Sequence, residues 1–513
     1  RDRSPSRGLG DVYKRQIRDF AISAIFWHKK GCIQMNFRII AYIVGWVCNF
    51  QAMFMVLPCI TALIYQEHEF FAFLISMIVC LIVGLPLTIR KPKNKVFYTK
   101  DGCVAVALSW FALCISGAVP FVLSGAIPHP IDAFFETVSG FTTTGSSILT
   151  DVEVLPHCIL IWRSFTHWIG GMGVLVFLLS LLPLAGGYHM NLMKAESPGP
   201  SVSKLVPKVQ QTAKILYTIY IGMTLFQIIL LLIGRIPLFD TLCISFGTAG
   251  TGGFGIVNDS MGSYSTYCQV VTTIFMILFG VNFSAYYLLL TKKFVQAFKF
   301  EEVRYYFGII LAAILVIGLN TAHLFRNLGE AFQQAAFQVG SIITTTGFSS
   351  TDFSQWPSLS KTILVLLMFV GACAGSTGGG IKVSRILILC KAAKKEFQLY
   401  LHPNAVKKIK MDEKTIGHDI IRSTNIYLSV YLLILAASVL IISLDNFDLI
   451  TNFTAVTATL NNIGPGLEIV GPMGNFSSFS YLSKCVLIFD MLAGRLEIFP
   501  LMLLFFKGTW KKF

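Results

Sequence analysis

The 513-residue sequence predicts an all-α polytopic membrane protein in which four units of membrane span, short pore helix, turn and membrane span surround one pore. Three observations lead there. Hydrophobic residues make up 54% and charged residues only 13% of the chain, with a mean hydropathy of +0.68, against roughly 25% charged residues in an average soluble domain. Basic residues gather in alternate connections between apolar stretches. A glycine-bearing turn rich in Thr or Asn recurs four times at intervals of roughly 100 residues, so repeats must be weighed before any single motif.

The chain begins RDRSPSRGLGDVYKRQ, which is basic and lacks the apolar core and small-residue cleavage site of a signal peptide. It reads as translated cloning or library sequence followed by an extension, and residues 1–34 are expected to be a non-native or extension segment before Met35. Apolar stretches such as ILYTIYIGMTLFQIILLLIG (215–234), VVTTIFMILFGVNFSAYYLLL (270–290) and IYLSVYLLILAASVLIISL (426–444) follow. Each is close to the ~20 residues that cross a hydrocarbon core as helix.

The net charge of +15 might suggest nucleic acid, but its distribution argues otherwise. Lys and Arg gather in RKPKNK (90–95), KKFVQAFKFEEVR (292–304), KAAKKEFQLYLHPNAVKKIKMDEK (391–414) and the tail KGTWKKF. The connections at 64–69, 126–157 and 445–480 lack both and carry Asp132, Asp151, Glu153, Asp445 and Asp448. The positive-inside rule places the basic set in the cytoplasm, with anionic lipid or an acidic partner as secondary possibilities.

The four turns are FTTTGSS (141–147), TAGTGGFG (248–255), ITTTGFSS (343–350) and LNNIGPGL (460–467). Before them stand IDAFFETVSG, LFDTLCISFG, LGEAFQQAAFQVGS and NFDLITNFTAVTAT. A helix of ten to twelve residues spans about 15 to 18 Å, half the bilayer, and leaves its turn at intermediate depth. Irregular backbone survives there only when it is buried in protein or lines water. Four such turns around one axis would line a path with carbonyl oxygens that replace an ion's hydration shell. Glycine tolerates the positive φ this needs, and Thr and Asn side chains can bond the surrounding backbone.

Competing motifs fail on context. Gly250 to Gly255 has the G-x-G-x-x-G spacing of a dinucleotide turn, but PLFDTLCISFG before it is no β-strand and IVNDSMGSYST after it is a loop. GSTGGGIK (375–382) misses the phosphate-loop pattern because Ile381 separates Gly380 from Lys382. Close helix packing is the plain alternative for its glycines. Twelve scattered cysteines, several in apolar spans (Cys80, Cys114, Cys373), form no C-x-x-C pair and read as buried, inert thiols. His167, between Phe165 and Trp168, reads as a packed or interfacial side chain rather than a ligand. No nucleophile, metal site or acid/base pair suggests an enzyme.

At the four turns, and in WRSFTHWIGGMG (162–173), AESPGP (195–200), GACAGSTGGGIKVSRIL (371–387), LHPNAV (401–406), ATLNNIGPGL (458–467) and GRLEIF (494–499), the chain resembles the Trk/Ktr/HKT superfamily of potassium transporters from Met35 to its end. The resemblance implies two N-terminal transmembrane helices (35–100), then repeats at 101–211, 212–304, 305–418 and 419–513. It implies K⁺ as the transported ion with no organic cofactor in this chain, and a homodimer with one pore per subunit in the bacterial inner membrane. A cytoplasmic TrkA-like nucleotide-binding ring would be the regulatory partner.

Carried onto this sequence, the filter comprises Thr142, Thr143, Thr144 and Gly145; Ala249, Gly250, Thr251 and Gly252; Thr344, Thr345, Thr346 and Gly347; and Asn461, Asn462, Ile463 and Gly464. A serine at the first glycine marks sodium-conducting plant members, and here that position is Gly145. The second turn departs from the family's usual T-I-A-I-G-G-F. The segment 371–380, with Gly371, Gly375, Gly378, Gly379 and Gly380, is expected to break its span as a gating loop. Lys382, Arg385 and Arg495 are the charges placed to bond it, since an ionisable residue inside a span is functional by default. The runner-up is a secondary transporter of another cation or small solute that uses discontinuous helices; it predicts inverted repeats, whereas these four units share one orientation.

Overall fold

The computed structural model describes residues 35–92, 97–173, 209–404, 408–412 and 414–510. The expectations for residues 1–34 and for AESPGP lie outside them, as do parts of RKPKNK, LHPNAV and the basic tail. The protein is built of helices, with one two-stranded hairpin pairing Lys410–Met411 with Lys414–Thr415. Among the described residues, six helices are long and apolar enough to cross a membrane: Phe37–Tyr65, Phe70–Ile89, Lys100–Leu123, Gln211–Ile233, Glu301–Leu324 and His418–Asp445. Large apolar side chains such as Ile64, Ile89, Leu433 and Leu440 stand exposed on their outer faces, as they must when the surrounding solvent is lipid rather than water.

Four short helices lie between spans: α5 (Pro130–Phe141), α8 (Leu238–Gly250), α13 (Leu328–Ile343) and α17 (Leu449–Leu460). Their starts follow local chemistry. Pro130 occupies the first turn of α5, where its missing N–H costs nothing. The Asn327 and Asp448 side chains accept the N–H groups of Glu330 and Thr451 at 2.8 and 2.9 Å, satisfying amides that a helix start leaves free. Lengths of 12, 13, 16 and 12 residues correspond to about 18 to 24 Å, so these helices end well inside a bilayer.

The second span of every unit is also short: α6 (His157–Gly171), α9 (Thr266–Phe279), α14 (Ser358–Val370) and α18 (Tyr481–Arg495). Sequence reading expected a break only at 371–380, and treated 270–290 as one uninterrupted span. Instead α9 and α10 (Phe283–Leu290) are bent by 93° at Gly280 to Asn282, with Asn282 capping α10 through the Ser284 N–H at 2.9 Å. The last span likewise stops at Arg495, with Glu497 at φ 61° before α19 (Ile498–Phe505). Gly280 and Gly371 mark two of these breaks, and Gly173 follows the end of α6.

The short helices and second spans interleave as a ring. Each short helix packs on the second span of its own unit and on that of the unit before it: α8 on α6, α13 on α9, α17 on α14, and α5 on α18. The last contact joins the fourth unit to the first and closes the circle in chain order.

Candidate functional site

Each short helix ends in the same cap. Thr143 adopts φ 56°, Thr251 56°, Thr345 58° and Asn462 55°. The N–H of each donates three residues back, to Gly140, Thr248, Ile342 and Thr459 at 3.1, 3.1, 3.1 and 3.2 Å. The next N–H, of Thr144, Gly252, Thr346 or Ile463, reaches five residues back at 2.9, 2.9, 2.8 and 2.8 Å. This is the Schellman arrangement, which satisfies the last helical carbonyls by turning the chain left-handed. Two residues beyond each left-handed cap stands a glycine with positive φ: Gly145 (82°), Gly253 (74°), Gly347 (82°) and Gly464 (104°).

The four glycines close a second, tighter ring. A Cβ on Gly145 would lie 2.1 Å from the Gly252 carbonyl oxygen, on Gly253 2.0 Å from that of Thr346, on Gly347 2.0 Å from that of Ile463, and on Gly464 2.8 Å from that of Thr144. No side chain fits at any of these points. The carbonyls of Thr144, Gly252, Thr346 and Ile463 are thus equivalent, each set against the glycine of the preceding unit. This corrects the expected second window: the residues equivalent to Thr142–Gly145 are Gly250 to Gly253, one position later than Ala249 to Gly252. Ala249 is still within α8. With two adjacent glycines, the register follows the left-handed cap at Thr251, and the His167 ring leaves no room for a Cβ on Gly252 either (2.2 Å to Cγ).

His167 is therefore more than packing. Its Nδ1 donates to the Gly140 carbonyl at 2.8 Å and its Nε2 accepts the Phe254 N–H at 3.2 Å. One neutral tautomer satisfies both bonds, tying the first short helix to the second turn. Side chains hold the other turns. Thr142 and Thr344 donate to Val138 and Gly340 carbonyls at 2.6 Å and pair with Thr144 and Thr346 at 2.8 and 2.7 Å. Asn462 Nδ2 bridges Thr144 Oγ1 and the Met491 carbonyl, both at 2.9 Å, and Asn461 Oδ1 accepts from Tyr431 at 3.1 Å.

Above the glycines lies a cavity of about 150 Å³ lined by all four of them, and Arg163 is its only charged lining residue among the described residues. Arg163 is buried, pairs with the equally buried Glu136 at 2.9 Å and donates to the Gly255 carbonyl at 3.2 Å. Glu136 also accepts the Ile148 N–H at 3.0 Å. The pair braces the chain leaving the first two turns. Neither residue was singled out from sequence; a carboxylate and a guanidinium in otherwise apolar segments, each needing a partner, were the available signal.

On the cap side of the turns runs the segment between α14 and α15 (Val383–Leu401). Gly371, Gly375 and Gly380 have φ of 68°, 70° and 76°, and Lys382 83°. Its middle lies against two turns: Gly379 N–H donates to Thr345 Oγ1 at 2.6 Å, a Cβ on Gly378 would be 2.7 Å from the Thr344 carbonyl, and one on Gly379 2.5 Å from that of Asn461. Lys382 Nζ, buried, donates to the Gly378 carbonyl. Arg495 Nη1 donates to the Thr377 carbonyl at 2.8 Å, while Nη2 reaches Gly170 and Gly171 at 2.6 Å each. Arg385 Nη1 donates to the Ile381 carbonyl at 3.3 Å and its Nη2 pairs with Glu497 at 2.5 Å, the guanidinium lying 3.9 Å over the Tyr427 ring. Away from the ring, Glu67, Glu69 and Cys158 bring donor atoms within 4.8 Å of one another, but Glu67 already caps α6 through the His157 and Cys158 N–H groups at 2.6 and 2.9 Å.

The family model described as TrkH, cation transport protein, matches residues 69–511. The chain is 36% identical over 488 residues to the Trk system potassium uptake protein TrkH of Salmonella typhimurium, covering 93% of this chain and all of that protein. It is 30% identical over 480 residues to the TrkG protein of Escherichia coli, covering 92% and 99%. The crystal structure of the potassium transporter TrkH from Vibrio parahaemolyticus superposes with a TM-score of 0.83 at 33% identity, covering 93% of this chain and all of that one. With the family model spanning most of the sequence and the relatives matched end to end, the chain belongs to the TrkH family of cation transport proteins.

Proposed function

We propose that this protein conducts K⁺ across the bacterial inner membrane through the ring of four turns, acting as the membrane subunit of a Trk-type uptake system. The observation that carries this is the cyclic contact of Gly145, Gly253, Gly347 and Gly464 with the carbonyls of the next turns. Neutral carbonyl oxygens at fixed spacing replace the hydration shell of a weakly hydrated monovalent cation. The relatives named as potassium uptake proteins support K⁺ as that cation. The cavity lined by the glycines is the outer mouth, and the basic connections are cytoplasmic by the positive-inside rule. The loop at 371–380, pressed against the inner side of the turns, obstructs the path when closed. A homodimer and a cytoplasmic TrkA-like ring complete the assembly. A transporter built on inverted repeats would pair its turns about a twofold axis, whereas these contacts run in one sense through the four units.

The test is cation flux into liposomes holding the purified protein. Rb⁺ and K⁺ should enter well above Na⁺; equal Rb⁺ and Na⁺ entry would overturn the proposal. Repeating the measurement under an imposed proton gradient separates passive from coupled transport.

A further inference from the structure

The middle of the 371–382 loop is held by cations, Arg495 at Thr377 and Lys382 at Gly378. Its two flanks meet at a single anion. Glu302, buried at 3% exposure in the first turn of α12 (Glu301–Thr321), accepts the Ala374 N–H at 2.6 Å and the Ser384 N–H at 3.1 Å, both on Oε1. These amides stand ten residues apart along the chain. Ser384 is in the first turn of α15, where amides lack helical partners and the helix dipole favours negative charge. From sequence, Glu302 was one more charge in a basic connection.

We propose that Glu302 is a positioning residue that staples both ends of the loop, so that the loop closes over the inner side of the turns as one piece. The inference rests on the reading of this loop as the gate. The Val383 N–H also donates to the Ala372 carbonyl at 3.2 Å, and a loop closed at its base has far fewer conformations open to it than one free at either end. Charge-assisted bonds from two amides to one oxygen reinforce that closure. Adjacent Glu301 anchors the same helix start from the other side: its N–H donates to Asp412 Oδ1 at 2.8 Å and its carboxylate takes Lys391 Nζ at 2.5 Å. The fixing point is therefore tied to Asp412, next to the strand Lys410–Met411.

The experiment is Rb⁺ flux into liposomes with the membrane subunit alone. Glu302→Ala should raise basal flux at least about tenfold, the factor that about 1.4 kcal/mol of lost closed-state stability represents, with the preference for Rb⁺ over Na⁺ unchanged. Glu302→Gln keeps an acceptor oxygen at the same place but loses the charge that strengthens both bonds, and should fall between wild type and Glu302→Ala. Ser384→Pro removes one of the two donors at a helix start that tolerates proline; it should raise flux less than Glu302→Ala does, and serves if that variant fails to fold. A parallel deletion of Gly378 to Gly380 separates the two readings. If the deletion raises flux while Glu302→Ala and Ser384→Pro leave it at the wild-type level, the staple is overturned and the gate survives. If the deletion changes nothing, the gate reading falls and the staple with it. A Gln variant as leaky as the Ala variant overturns the acceptor role.

Discussion

The ring of turns and the loop beneath it are both irregular backbone at membrane depth, yet they are held in opposite ways. In the ring, four Schellman caps satisfy each helix end locally, and glycine-to-carbonyl contacts link the turns in a circle. The cap and the glycine contact recur at all four turns, and side chains such as His167, Thr142, Thr344 and Asn462 add bonds at single turns. The loop has no repeat to lean on. Besides the backbone bonds of Cys373 to Gly280 and of Phe283 to Gly375, it is held by single side chains: Arg495, Glu302 and Thr345 from distant parts of the chain and Lys382 from its own end. Redundant short-range constraint suits an element that must keep one geometry. A few separable bonds suit one with two states, because removing any of them shifts the balance by a countable amount.

The sharpest way to break this comparison is Gly145→Ser. Its φ of 82° and the Gly252 carbonyl 2.1 Å from any Cβ force the turn itself to move, and left-handed backbone adds about 1 to 2 kcal/mol for a residue with a side chain. Selectivity for Rb⁺ over Na⁺ should fall at least about tenfold on the strength of that distortion. Unchanged selectivity in well-folded protein would mean that the ring is not the selective element. Arg495→Ala should act on the loop through the bond to the Thr377 carbonyl, besides freeing the Gly170 and Gly171 carbonyls. Bonds from a charged donor contribute about 1.5 to 3 kcal/mol each, so basal Rb⁺ flux should rise about tenfold or more with ion preference intact. A fall in flux in folded, dimeric protein would reassign Arg495 to conduction or structure, which its contacts with Gly170 and Gly171 would then explain. The mildest change is Thr345→Val, which removes only the acceptor for the Gly379 N–H. One neutral hydrogen bond nets about 1 kcal/mol, so basal flux should rise severalfold; a change in selectivity instead would show that the two regions are not separable at this residue.

Legibility followed the same division. The repeat of short helix, turn and span, the four turns and the break at 371–380 could be read from sequence, because each rests on local chemistry: acidic or prolyl helix starts, turn glycines, and apolar runs too short to cross alone. The register of the second turn could not. Gly252 and Gly253 are equally able to take positive φ, and the choice follows from the left-handed cap at Thr251, two residues before Gly253. The breaks at Gly280 and after Arg495 were hidden in continuous apolar runs, since hydropathy is blind to a helix that bends inside protein. Glu136 with Arg163, and Glu302 with Ala374 and Ser384, depend on pairing across 27, 72 and 82 residues.

The sequence by itself determined that the chain lies in a membrane, that it is a fourfold repeat, and that each repeat carries a turn of glycine with Thr or Asn. Hydropathy, charge placement and turn chemistry are properties of consecutive residues. Tertiary structure alone decided which carbonyl meets which glycine, where the second spans break, and that one carboxylate gathers both ends of the loop. Those outcomes are set by close packing and by the need to satisfy every buried polar group, conditions that link residues far apart in the chain.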